Sequence, residues 1–85
     1  MIGRVVEIAS DNRHLAKDRG FLTVSESGAE IGRIPLDGVA AVIGNAHGLT
    51  YSNNLIANLA ERGIPFVLCG PHHRPVAFLW PLALF

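Results

Sequence analysis

The strongest constraint on this chain is a single helical segment fenced in by two short apolar runs. Residues 34–82 read IPLDGVAAVIGNAHGLTYSNNLIANLAERGIPFVLCGPHHRPVAFLWPL. Residues 39–43 (VAAVI) and 66–69 (FVLC) are continuous and apolar, the pattern of strands covered on both faces. Between them, residues 50–63 are predicted to be helical. Leu55, Ile56 and Leu59 form an apolar stripe at helical spacing. Ser52 is the predicted N-cap, its hydroxyl accepting from a first-turn amide. Tyr51 and Ile56 occupy the staple positions on either side of that cap. Gly63 suits the C′ position, with Ile64 folding back on Leu59 in a Schellman arrangement. Pro65 blocks further helix.

The remainder reads as β-structure. Residues 4–9 (RVVEIA) and 21–25 (FLTVS) are short and rich in β-branched residues. Glu26, Ser27 and Gly28 supply turn chemistry, since Gly28 takes positive φ at little cost. Residues 29–34 (AEIGRI) then return as a hairpin partner, with Leu22, Val24, Ile31 and Ile34 as its apolar contacts. Pro35 closes that pairing because it lacks an amide hydrogen. Residues 10–20 are polar and are expected to form a loop or an irregular ribbon. Residues 70–75 form a turn, and 76–80 (VAFLW) a last strand closed by Pro81. The fold class expected is α+β, mostly β: a small sandwich-like domain of hairpin and buried strands with one well-capped helix.

Size and charge narrow the function. Eighty-five residues make one domain, which buries only about 60–65% of its unfolded surface and is marginal alone. Yet 49% of the residues are hydrophobic. Such a surplus points to a face used for self-association or for a further domain. The formal net charge is zero, which argues against a free-standing electrostatic DNA binder. One cysteine, Cys69, cannot form an internal disulfide and fits a reducing compartment. Arg4 and Glu7 interrupt the opening apolar run, so it does not read as a signal peptide. No apolar stretch approaches the ~20 residues of a membrane span. A cytoplasmic protein without membrane contact is expected.

Taken together, IPLDGVAAVI, a helix ending AERGIP, then FVLC and HRPVAFLWPL resemble the N-terminal β-domain of the CRISPR adaptation integrase. The opening RVVEIASDNRHLAKDRGFLTVS looks most like the versions that accompany type II systems. The likeness runs up to Leu82. It implies a DNA endonuclease and integrase that acquires new spacers in antiviral defence. It further implies homodimers formed through the β-domain, contact with double-stranded DNA, and docking on a small partner protein of the same pathway. In that family a helical domain carries a Glu/His/Asp set that binds Mg or Mn. No residue of this chain matches that set, so none is assigned a catalytic role. The helical domain is expected to be missing and the 85-residue chain inactive alone.

Several residue groups invite other chemistry. Cys69, His72 and His73, with distant His47, have a Cys-x-x-His element that holds zinc when further ligands converge. The opposing expectation is a buried Cys69 acting as a small hydrophobe, inert as a nucleophile. Residues 44–48 (GNAHG) sit where phosphate loops sit but lack a P-loop lysine. Arg13, His14, Lys17 and Arg19 cluster before the second strand, diluted by Asp11 and Asp18. They fit a solvated turn or a ribbon on DNA phosphates, and the family resemblance favours DNA. His72, His73 and Arg74 form a weaker second patch. Phe78 and Trp80 suit an interface core, and the terminal LALF is an aggregation liability. Three readings therefore stand: DNA-positioning domain, small His/Cys metal module, or ligand-free interaction domain.

Overall fold

The computed structural model describes residues 3–82, so the segment from residue 83 onward lies outside the described part. Eight strands and one α-helix follow in the order β1 Arg4–Ile8, β2 His14–Asp18, β3 Phe21–Glu26, β4 Ala29–Pro35, β5 Val39–Gly44, β6 Thr50–Tyr51, α1 Asn53–Glu61, β7 Phe66–Cys69 and β8 Pro75–Leu79. They form two four-stranded sheets, ordered β1-β5-β7-β8 and β4-β3-β2-β6. β1, β5 and β7 run parallel, and β8 returns antiparallel on β7. The mostly-β, one-helix architecture expected from the sequence is the one observed.

One core joins both sheets and the helix. Ile8, Val39, Val42 and Phe66 from the first sheet meet Leu15 and Leu22 from the second. Leu55 and Leu59 of α1, with Leu36 and Ile64, complete it. Each such side chain contributes roughly 1.5–3 kcal/mol by leaving water. Tyr51 packs edge-on against the Phe66 ring, with centroids 4.9 Å apart. Burial pushes the Tyr51 phenol pKa up, and the nearby Cys69 thiol adds to the shift. Cys69 itself is half-buried rather than fully enclosed, because β7 ends at the sheet margin.

The helix caps follow the sequence closely. The Ser52 hydroxyl accepts from the Leu55 amide at 3.2 Å. Gly63 sits at φ +75°, and the Ile64 amide donates to the Leu59 carbonyl at 2.8 Å, closing the Schellman motif. The helix is shorter than expected at its start. Ser52 is extended (φ −81°, ψ 144°), so Thr50 and Tyr51 stay extended and pair with β2 instead. The amides of Thr50 and Ser52 donate to the carbonyls of Arg13 and Leu15.

Two other expectations change, and the expected last strand is present. Residues 14–18 are a regular strand between β3 and β6, because Leu15 faces the core and is fully buried. Ile31 is 53% exposed, since β4 is an outer strand of its sheet. Residues 75–79 form a strand exposed along its whole length. The β3–β4 hairpin behaves as expected, with positive φ at both Ser27 and Gly28, the geometry of a type I′ turn.

Candidate nucleic-acid interface

β2 and the residues flanking it carry the basic residues Arg13, His14, Lys17 and Arg19, and the fold separates them into two ends. Arg13 and His14 lie where β2 begins, beside the carboxyl ends of the parallel strands. Lys17 and Arg19 lie where β2 turns into β3, beside the amino ends of β1 and β5. Six residues of extended chain set Arg13 and Arg19 roughly 20 Å apart. That distance matches about six base pairs along a duplex axis.

The two ends differ in how their charge is spent. Arg13 Nη1 donates to Glu26 Oε2 at 3.0 Å and to the Asp11 carbonyl at 2.8 Å. Its side chain is only 20% exposed. The His14 Nδ1 shares a hydrogen bond of 2.6 Å with the Thr50 hydroxyl. Both groups stitch β2 to its surroundings. Lys17 and Arg19 are exposed and, among the described residues, form no ion pair. Arg19 occupies the turn at φ +58°. Lys17 borders a shallow depression with Asn54, Asn58 and Glu61 of α1.

The sequence reading missed the neighbours of that turn. Arg62, the C-cap of α1, places its guanidinium next to Gly20 and pairs with Asp37 at 3.4 Å. Arg4 donates to the Pro35 carbonyl at 3.3 Å, and Pro35 is the register partner of Phe21. Arg4, Arg19 and Arg62 thus come from three distant sequence positions to one end of the molecule, with Lys17 one step back along β2. No local motif could have announced this, because the grouping depends on the β1–β5 pairing. Arg33 stands nearby but is neutralised. It bonds Glu30 at 2.7 Å and Asp18 at 3.2 Å and lies over the Phe21 ring. The Arg33 hydrogen bond holds the Glu30 carboxyl below its ordinary value, and Glu30, then Asp18, raise the Arg33 pKa in turn.

The proposed four-ligand metal set does not assemble. His47 and His73 come together, with ring centroids 6.1 Å apart. Cys69 lies near Tyr51, and among the described residues His72 forms no side-chain hydrogen bond or ring contact with the pair. Among the described residues no three His, Cys, Asp or Glu side chains converge on a common point. Among the described residues, no helix is long and apolar enough to cross a membrane.

A family model described as CRISPR associated protein Cas1 matches residues 6–84. The chain belongs to the Cas1 family. Its fold is that of the Cas1 N-terminal β-domain, as solved structures show. A CAS1 protein from Thermotoga maritima superposes with a TM-score of 0.81 at 14% identity, covering 95% of this chain and 24% of that one. A partial Cas6-RT-Cas1–Cas2 complex gives 0.81 at 21% identity, covering 95% and 24%. A TtCas1–DNA complex gives 0.75 at 13% identity, covering 96% and 31%. The chain therefore spans about a quarter to a third of the length of these Cas1 relatives. No curated protein sequence matches it.

Proposed function

We propose that this Cas1 domain serves spacer acquisition by pairing with a second copy and by holding the end of the incoming DNA duplex. The observation that carries the DNA part is the β2–β3 turn. Exposed Lys17 and Arg19, without carboxylate partners among the described residues, stand beside Arg4 and Arg62. Cations in this arrangement contact phosphates and position a duplex without reading its sequence. Arg13 and His14 play a lesser part, because their polar atoms already have partners within the fold. A Cas1–DNA complex and a Cas1–Cas2 complex among the structural relatives support contact with DNA and with a small adaptation partner.

The dimer part rests on β8. Val76, Phe78 and Trp80 are 64%, 61% and 68% exposed, and they form an apolar strip along the outer strand β8 and the residue that follows it. Metal-dependent cutting and joining would fall to a helical domain holding Mg or Mn. A kinship with type II versions is part of the same proposal.

Anisotropy with a labelled blunt duplex, measured between 50 and 200 mM salt, tests the DNA part. Two to four phosphate contacts predict a log–log salt slope of roughly −2 to −4. Joint replacement of Lys17 and Arg19 by Ala lowers affinity at least about fivefold, whereas Arg13→Ala changes it less than about twofold. Equal binding by the double variant and the parent chain would sink the assignment.

A further inference from the structure

The loops that follow β1, β5 and β7 meet at the carboxyl ends of the parallel strands, at the end of the molecule away from the β2–β3 turn. Together with Glu7 near the end of β1, they hold a hydrogen-bonded chain that the DNA reading does not use. Asn45 Nδ2 donates to Glu7 Oε2 at 2.7 Å. On its other side, Asn45 Oδ1 lies 2.8 Å from His73 Nδ1. A carboxylate only accepts, so it fixes which way the amide faces. With its nitrogen committed to Glu7, Asn45 presents oxygen to His73. His73 Nδ1 must then carry the hydrogen, which leaves the Nε2 lone pair of the neutral ring free. An imidazole oriented through Nδ1–H toward a polar acceptor is the usual form of a metal-ligating histidine.

The second imidazole is already beside it. The His47 and His73 ring centroids are 6.1 Å apart and tilted by 59°. Two imidazoles sharing one tetrahedral zinc, each at ~2.0 Å, place their ring centres about 5 Å apart. Both side chains are exposed, so a small side-chain rotation closes the gap. His47 is held in place by its backbone, whose amide donates to Asp11 Oδ1 at 3.0 Å and whose carbonyl accepts from Asn12 at 2.9 Å. His73 is delivered by an uncommon turn. Both His72 and His73 have positive φ, at 66° and 59°, a conformation that costs non-glycine residues energy and often marks a functional constraint.

We propose that His47 and His73 form a two-imidazole site for a borderline-soft divalent transition ion such as Zn2+, with Asn45 and Glu7 as positioning residues and solvent in the remaining positions. The site is independent of the DNA reading and excludes Cys69 and His72, which the spacing of the sequence alone would have included.

Titration calorimetry of the metal-stripped 85-residue chain with ZnCl2, in a buffer that does not bind zinc, is the test. One equivalent is expected to bind. His47→Ala and His73→Ala each weaken binding at least tenfold, and Asn45→Ala weakens it about tenfold, with circular dichroism confirming that each variant is folded. His72→Ala and Cys69→Ser leave it unchanged. Absence of zinc binding, or an equal loss in His72→Ala or Cys69→Ser, overturns the site. The nitrogen-15 shifts of the metal-free His73 ring give a second readout. The tautomer protonated at Nδ1 is expected, and a ring protonated only at Nε2 would refute the orientation on which the proposal stands.

Discussion

β7 and β8 are hydrogen-bonded neighbours of similar apolar character, yet they live in opposite surroundings. Phe66 of β7 is 1% exposed, while Leu79, its register partner on β8, is 43% exposed and Phe78 beside it 61%. The cause is topological. β7 lies between β5 and β8 and turns Phe66 onto Tyr51 and the shared core. β8 is the outer strand, and no described element covers it. Hydrophobicity decided that both segments would be extended, and sheet order decided which would be buried. An exposed apolar edge is unusual for a chain that stays alone in water, and the contrast therefore bears directly on self-association.

The largest effect should come from the covered strand. Phe66→Ala removes the ring that Tyr51 packs against and is expected to cost about 3–5 kcal/mol, read by chemical denaturation. The same truncation at Phe78 is expected to change monomer stability by less than about 0.5 kcal/mol. If the two costs proved equal, the contrast between the strands would fail. Gly63→Ala comes next. A Cβ there meets nothing within 4 Å, so the penalty is confined to the left-handed backbone and should be roughly 1–2 kcal/mol. A neutral result would mean that the Schellman turn does not anchor the chain entering β7.

Phe78→Ser sharpens the comparison from the other side. It is expected to leave the melting temperature of the monomer nearly unchanged while weakening self-association, as read by sedimentation velocity across a concentration series. Unaltered association would detach the dimer from β8. The smallest effect concerns Glu30 on the second sheet's outer strand. The Arg33 hydrogen bond lowers its folded pKa from 4.5. A depressed carboxyl stabilises the fold above its unfolded pKa and loses that contribution as pH falls through the folded value. Because Glu30 is open to solvent, the stability change should be slight. A carbon-13 titration sees it directly: Arg33→Ala should return Glu30 to the ordinary carboxylate range.

Local features of the fold were legible because their causes are local. Ser52, Gly63 and Ile64 act within a few residues of one another, and the caps appear as the sequence implied. Ser27 and Gly28 made a tight hairpin for the same reason. Residues 14–18 were less legible. Their polar content hides the fact that a single inward residue, Leu15, is enough to hold a strand between two neighbours. The cation cluster was half legible. Lys17 and Arg19 lie close together in the chain, but Arg4 and Arg62 reach them only through the β1–β5 pairing and the helix end.

By itself, the sequence determined a mostly-β body, one helix with its two caps, and membership of the Cas1 family, since periodicity, capping and motif order are written along the chain. Only the tertiary structure decided which apolar strand faces solvent, which arginines keep an unspent charge, and which two of four histidines meet. Those outcomes depend on contacts between residues tens of positions apart. Such contacts follow from sheet order and core packing, which no short stretch of sequence contains.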